Sequence, residues 1–216
     1  VSDPGEPGAQ DAGGTGGGAP VTGLAVGDDG LARCAWGLSA PDYVDYHDKE
    51  WGRPVHGDDA LFERVCLEAF QSGLSWITIL RRRETFRKAF GGFVIDTVAA
   101  FTDADRERLL ADPGIIRNRA KIDAAIANAA AAASVRDTYE GGLDALIWSF
   151  APDPATRPAP RGFGDVPATT PESTALAKDL KKRGFRFVGP TTAYALMQAC
   201  GLVNDHLADC WARPLP

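Results

Sequence analysis

From residue 58 onward, apolar side chains return every three or four positions, the spacing of helices with one buried face. Leu61, Phe62, Val65, Cys66, Ala69 and Phe70 share such a face; Asp58 or Asp59 can cap it and Gly73 stops it. The pattern resumes at Ser75, a cap for a second helix that carries Trp76, Ile79, Leu80, Phe86 and Phe90. The turn between them, Ser72-Gly73-Leu74-Ser75, presents one apolar side chain, Leu74. Asp103 to Leu110 reads as a short helix ending at Asp112-Pro113-Gly114. Ile115 to Arg136 is Ala-rich, and Leu143, Leu146, Ile147 and Phe150 fall on one side of another short helix. Residues 151–170 hold many Pro and Gly and read as a long loop. Next, Thr169 and Glu172 form a capping box, Pro171 suits a first helical turn, and Gly184 stops the helix. Phe185 to Gly189 is a connector, Pro190 opens a last helix with Ala193, Leu196, Met197 and Cys200 on one side, and Gly201 closes it. Nothing alternates with the period of a strand and no segment repeats, so the expected class is all-α.

Composition narrows this picture. A length of 216 residues and an apolar content of 44% suit one globular domain or two small ones. No apolar run reaches membrane-spanning length and the first residues do not read as a secretory signal, so a cytoplasmic location and no membrane partner are expected. The four cysteines then fit burial or metal binding better than disulfides. Residues 1–30 are Gly-rich, lack apolar periodicity and carry five acidic and no basic residues, and are expected to form a disordered tail before a helical domain over 31–216. The net charge of −6 therefore lies mostly in the tail. Basic residues cluster at Arg81–Arg83, at Arg117, Arg119 and Lys121, and over 178–186; such patches are either solvated helix faces or contacts for an anionic polymer.

Candidate chemistry concentrates between Arg33 and Trp76. This stretch holds Trp36, Tyr43, Tyr46, Trp51 and Trp76, and toward its end a carboxylate, Glu68, on the seam of its helix. Aromatic faces beside an acid suit a flat, electron-poor ligand, although a solvated seam residue would show the same spacing. Cys34 and His47, with His206 and Cys210 four apart near the other end, make a good tetrahedral zinc set. Such a site would be closed and structural, clamping the two ends of the fold; four ordinary buried residues is the competing reading. Cys66 and Cys200 lie on apolar faces and read as core. The glycine-bounded hairpin between the last two helices, about 171–200, can turn backbone N–H groups outward as an anion cradle, as can other helical hairpins. No lysine follows Gly189.

The runs RCAW, YHDKEWG, CLEAFQSGLSWITIL, GIIRNRAKI, KKRGFRFVGPTT and MQACGLVNDH, in this order, resemble the 3-methyladenine DNA glycosylase I family. The resemblance spans nearly everything from Arg33 to Cys210. It implies a helix-hairpin-helix DNA glycosylase fold, with Cys34, His47, His206 and Cys210 holding one structural zinc ion that joins the ends of the domain. It implies an enzyme that flips 3-methyladenine out of double-stranded alkylated DNA and hydrolyses its glycosidic bond. Glu68 would be the catalytic and base-binding acid, Tyr46 and Trp76 the pocket walls, and Trp36, Tyr43 and Trp51 their neighbours. Leu74 would wedge into the vacated stack, and Gly184, Phe185, Gly189 and Thr191 of the hairpin would meet the DNA backbone. Without a lysine past the hairpin, such an enzyme is expected to leave an uncut abasic site and release free 3-methyladenine, acting as a monomer. Asp205 lies about where wider relatives carry a catalytic aspartate. The alternative is a non-catalytic adaptor that uses the hairpin and a structural zinc while its pocket stands idle.

Overall fold

The computed structural model describes residues 22–213. The tail expected over residues 1–30 lies outside the described residues as far as residue 21. Within its remainder, β1 (Leu24–Val26) pairs antiparallel with β2 (Ala32–Cys34), Leu24 opposite Cys34. This corrects the expectation of no strand; three residues are too few to show an alternation. Otherwise the regular elements among the described residues are helices. A 3-10 turn (Ala35–Leu38) leads to α1 (Pro41–Lys49), where Pro41 opens the first turn and Lys49 stands in the last, signals the apolar pattern alone overlooks.

The axis of the molecule is α2 (Asp58–Gln71). Every residue from Val65 to Phe70 is buried, so this segment is enclosed all round. Asp58 and Asp59 belong to its first turn, and Gly57 takes the cap position expected of them. Their carboxylates instead reach other chain segments: Asp58 accepts from Asp144 N at 2.9 Å and Asp59 from Ile95 N at 2.8 Å.

The single helix expected over Trp76–Phe90 is two, α3 (Trp76–Leu80) and α4 (Arg83–Ala89), followed by α5 (Ile95–Ala99) and α6 (Asp103–Ala111). The Ala-rich α7 (Arg119–Thr138) starts four residues later than expected, because the Asn118 side chain caps Lys121 N at 3.1 Å. Then come α8 (Gly142–Trp148), a long irregular loop, α9 (Pro171–Lys182) and α10 (Pro190–Ala199). The α9 capping box is Thr170 with Ser173, one residue beyond the expected Thr169 with Glu172; Ser173 N donates to Thr170 Oγ1 at 3.1 Å and Thr170 N to Ser173 Oγ at 2.9 Å. A hydroxyl at the third helical position replaces the acid of the usual pattern. Phe62, Phe70, Phe86, Phe90 and Phe93 fill the core beneath α2. Among the described residues no helix is long and apolar enough to cross a membrane.

Two backbone bonds fasten the segment after α1 to the end of α10: Gly52 N to Gln198 O at 3.0 Å and Val55 N to Cys200 O at 3.1 Å. The approach requires Gly201, whose φ is +76° and whose added Cβ would lie 2.5 Å from the carbonyl carbon of Arg53. Gly201→Ala is therefore expected to destabilise the fold by about 2 kcal/mol or more from backbone strain and overlap. Thermal denaturation followed by circular dichroism should show a Tm lower by roughly 5 °C.

Candidate active site

The same junction leaves a cavity of about 390 Å³ between α1, α2, α3 and α10. Trp36, Tyr43, Tyr46, Trp51, Glu68 and Trp76 all line it, so the structure brings together every residue of the expected pocket. Trp36 is the hub: Tyr43 meets it edge-on with ring centroids 5.6 Å apart, and Trp51 does so at 5.0 Å. Tyr46 and Trp76 form an adjoining tilted pair at 5.4 Å. Perpendicular contacts lock the rings in fixed orientations and leave open π faces.

Glu68 is only 4% exposed, so it is no solvated seam residue. It accepts no hydrogen bond from any described residue, and burial pushes its carboxyl up to about 8 against the opposing charge of Arg64. Arg64 sits one turn earlier on α2 and its Nη2 lies 3.4 Å from Glu50, which Arg83 also grips. The acid is thus held neutral at pH 7 in a mostly aromatic chamber, and a cation brought into that chamber favours its ionised form.

Leu74 stands at the rim, 38% exposed, between the cavity residues Gln71 and Trp76. Lys121 holds this turn from below: its Nζ donates to Phe70 O at 2.9 Å and Ser72 O at 2.5 Å. Lys121 is therefore buried and belongs to no surface patch. The Arg81–Arg83 cluster is likewise engaged, Arg81 with Asp42 and Arg83 with Glu50.

In the hairpin between α9 and α10, Gly184 has φ +99° and Gly189 lies exposed at the start of α10 beside exposed Thr191. A Cβ on Gly189 would meet open space, and its φ of −90° suits any residue. Nothing within the protein demands glycine there. The Phe185 side chain is buried at 3% exposure and anchors the hairpin from inside, so only its main chain could meet a ligand there. The exposed ring is Phe187, at φ +56°. Asn128, fully buried on α7, was overlooked: its Oδ1 accepts from Arg186 N at 2.7 Å and its Nδ2 donates to Arg186 O at 3.2 Å.

At the junction of the chain ends, the ligand atoms of Cys34, His47 and Cys210 lie within 4.8 Å of one another, all buried. This group can hold a metal ion. His47 Nδ1 is engaged by Asp48 at 2.7 Å, which leaves Nε2 facing Cys210 Sγ at 3.5 Å, the arrangement that orients a ligating imidazole. A hydrogen bond from Cys34, then one from His47, holds the Cys210 thiol far below its usual range, while Cys34 is pushed up. His206 packs on His47, ring centroids 4.8 Å apart, and burial lowers its pKa to about 4. Its two nitrogens face acceptors, Asn204 Oδ1 at 3.0 Å and His47 O at 3.2 Å, yet a neutral imidazole has only one N–H.

Asp205, 5% exposed, is surrounded by donors: Tyr194 OH at 2.5 Å and Gln198 Nε2 at 2.9 Å on Oδ2, and Arg157 Nη2 at 3.0 Å on Oδ1.

Residues 36–213 match the family model described as methyladenine glycosylase. The DNA-3-methyladenine glycosylase 1 of Escherichia coli K12 is 46% identical over 184 residues, 85% of this chain and 98% of that protein. The DNA-3-methyladenine glycosylase of Haemophilus influenzae is 46% identical over 179 residues, 82% of this chain and 96% of that one. A 3-methyladenine DNA glycosylase I variant solved in complex with 3-methyladenine superposes with a TM-score of 0.80 at 34% identity, covering 85% of this chain and 98% of that one. With a matching fold, a family model that spans the whole helical region and near-complete coverage of its relatives, this chain belongs to the methyladenine glycosylase family.

Proposed function

We propose that this protein is a DNA repair glycosylase that flips 3-methyladenine out of alkylated double-stranded DNA and hydrolyses its glycosidic bond. The observation that carries the reading is Glu68, buried without a partner in an aromatic chamber roomy enough for a base. A methyl group on N3 leaves the adenine cationic. Its glycosidic bond breaks with the electron pair leaving on the base, which departs neutral, and water adds at the sugar carbon. Ring faces attract such a cation by about 0.5–2 kcal/mol each. Glu68, ionised as the cation enters, accepts from the exocyclic amine, and Tyr46 stands beside it to donate to a ring nitrogen. The chamber therefore favours the damaged base over a neutral one.

Leu74, on a turn tightened by Lys121, is suited to fill the gap left by the flipped nucleotide. The open Gly189 and the free N–H groups at the start of α10 suit close approach of a DNA phosphate, as in a helix-hairpin-helix motif. Between Pro190 and Pro216 no lysine stands to form a Schiff base, which supports release of base without strand cleavage. Cys34, His47, Cys210 and His206 would hold a zinc ion; the mismatch of the His206 imidazole with its two acceptors supports its place as fourth ligand. When bound, zinc supplies a structural clamp between the two ends of the domain.

Glu68→Gln separates function from stability. Loss of a charge-assisted hydrogen bond should cut release of 3-methyladenine from methylated DNA by about tenfold or more, read by chromatography of the freed base. The folded-state pKa is raised, so the native acid contributes stability that is fully present below its unfolded pKa near 4.5 and is lost as pH rises through about 8. The Gln variant should therefore melt higher than the wild type, with the gap opening between those pH values. For the clamp, Cys210→Ala should lower both bound zinc, measured by elemental analysis, and Tm; full zinc content in a stable variant would refute the four-ligand set.

A further inference from the structure

Gln198, on α10, also lines the base cavity. The amide of a glutamine presents an acceptor or a donor according to which way it is turned. Here the choice is forced. Its Nε2 donates to Asp205 Oδ2 at 2.9 Å, and a carboxylate offers only acceptors. The same oxygen takes the proton of Tyr194, whose phenol is pushed up to about 12 by burial and then by Asp205. Arg157 Nη2 bridges the Tyr194 oxygen and Asp205 Oδ1, each at 3.0 Å. With its NH2 so held, Gln198 keeps Oε1 directed away from Asp205, and no described residue donates to that oxygen.

We propose that Gln198 is a specificity-determining residue that presents its carbonyl oxygen to the base, and that Asp205, held by Tyr194 and Arg157, is the positioning residue that fixes this polarity. The inference rests on the glycosylase reading above. An exocyclic amine has two N–H groups, and the chamber then offers two acceptors, Glu68 and Gln198. A base that carries oxygen at the same place turns lone pairs toward both. Asp205 itself has both oxygens occupied, so it acts through Gln198 and not on the base.

Asp205→Asn is a one-atom test. Arg157 can only donate, so the asparagine oxygen stays with it, and its NH2 takes the place of Oδ2. Tyr194 can accept there, but Gln198 must turn its oxygen toward the new donor and show NH2 to the cavity. The measurement is the ratio of initial release of 3-methyladenine to 3-methylguanine from one sample of DNA methylated with dimethyl sulfate. Both bases compete in one tube, so the ratio does not depend on how much of a variant is folded. Asp205→Asn should lower the ratio roughly tenfold, as expected when one buried acceptor becomes a donor. Gln198→Leu should lower it too, and the double variant should fall no further than the worse single one. Unchanged ratios in both single variants, with the wild type active, overturn this inference alone. A wild type that releases no base overturns the glycosylase reading and this inference with it.

Discussion

Burial of one carboxyl organises this molecule. Glu68 sits on a helix that the rest of the fold encloses, and no hydrogen bond from a described residue replaces the solvation lost there. A neutral acid in an empty chamber costs little, whereas an ionised one without a partner is expensive. The site is thus poised between two charge states, and on the proposed function a cationic base would decide between them. The surrounding rings serve the same end. Their edge-to-face contacts keep the chamber open, which softer aliphatic side chains would not do.

Much of this was legible in the chain. Helix periodicity located most of the helical segments, glycines marked their ends, and the aromatic cluster and the Cys/His pairs announced themselves by composition. What escaped depends on three-dimensional enclosure. The amphipathic pattern put Glu68 on a seam because it assumes one wet face, and α2 has none over Val65–Phe70. Lys121 read as part of a basic patch because its carbonyl partners, Phe70 and Ser72, lie some fifty residues away. Asn128 carries no local signal at all; only the folded hairpin shows what it holds. The capping box slipped by one residue because Ser173 does with a hydroxyl what the pattern assigns to an acid.

Three buried polar groups, Lys121, Asn128 and Asp205, share one feature: each ties an irregular segment to a helix. Lys121 ties the Leu74 turn, Asn128 the α9–α10 hairpin, and Asp205 the amide of Gln198. Placing such groups in a core is costly unless they are satisfied, and the first two are satisfied by backbone atoms, Lys121 at the end of α2 and Asn128 in the hairpin. Stability and placement of the working surfaces are therefore set by the same contacts.

Two of these ties spring from one rod. Lys121 and Asn128 stand seven residues apart on α7, two turns along the same side, or roughly 10 Å at helical rise. The apolar finger at Leu74 and the hairpin loop are thereby mounted on a common ruler. Their separation is set along α7, and a duplex that met both, as proposed, would have to conform to a gauge cut into the protein before it arrived.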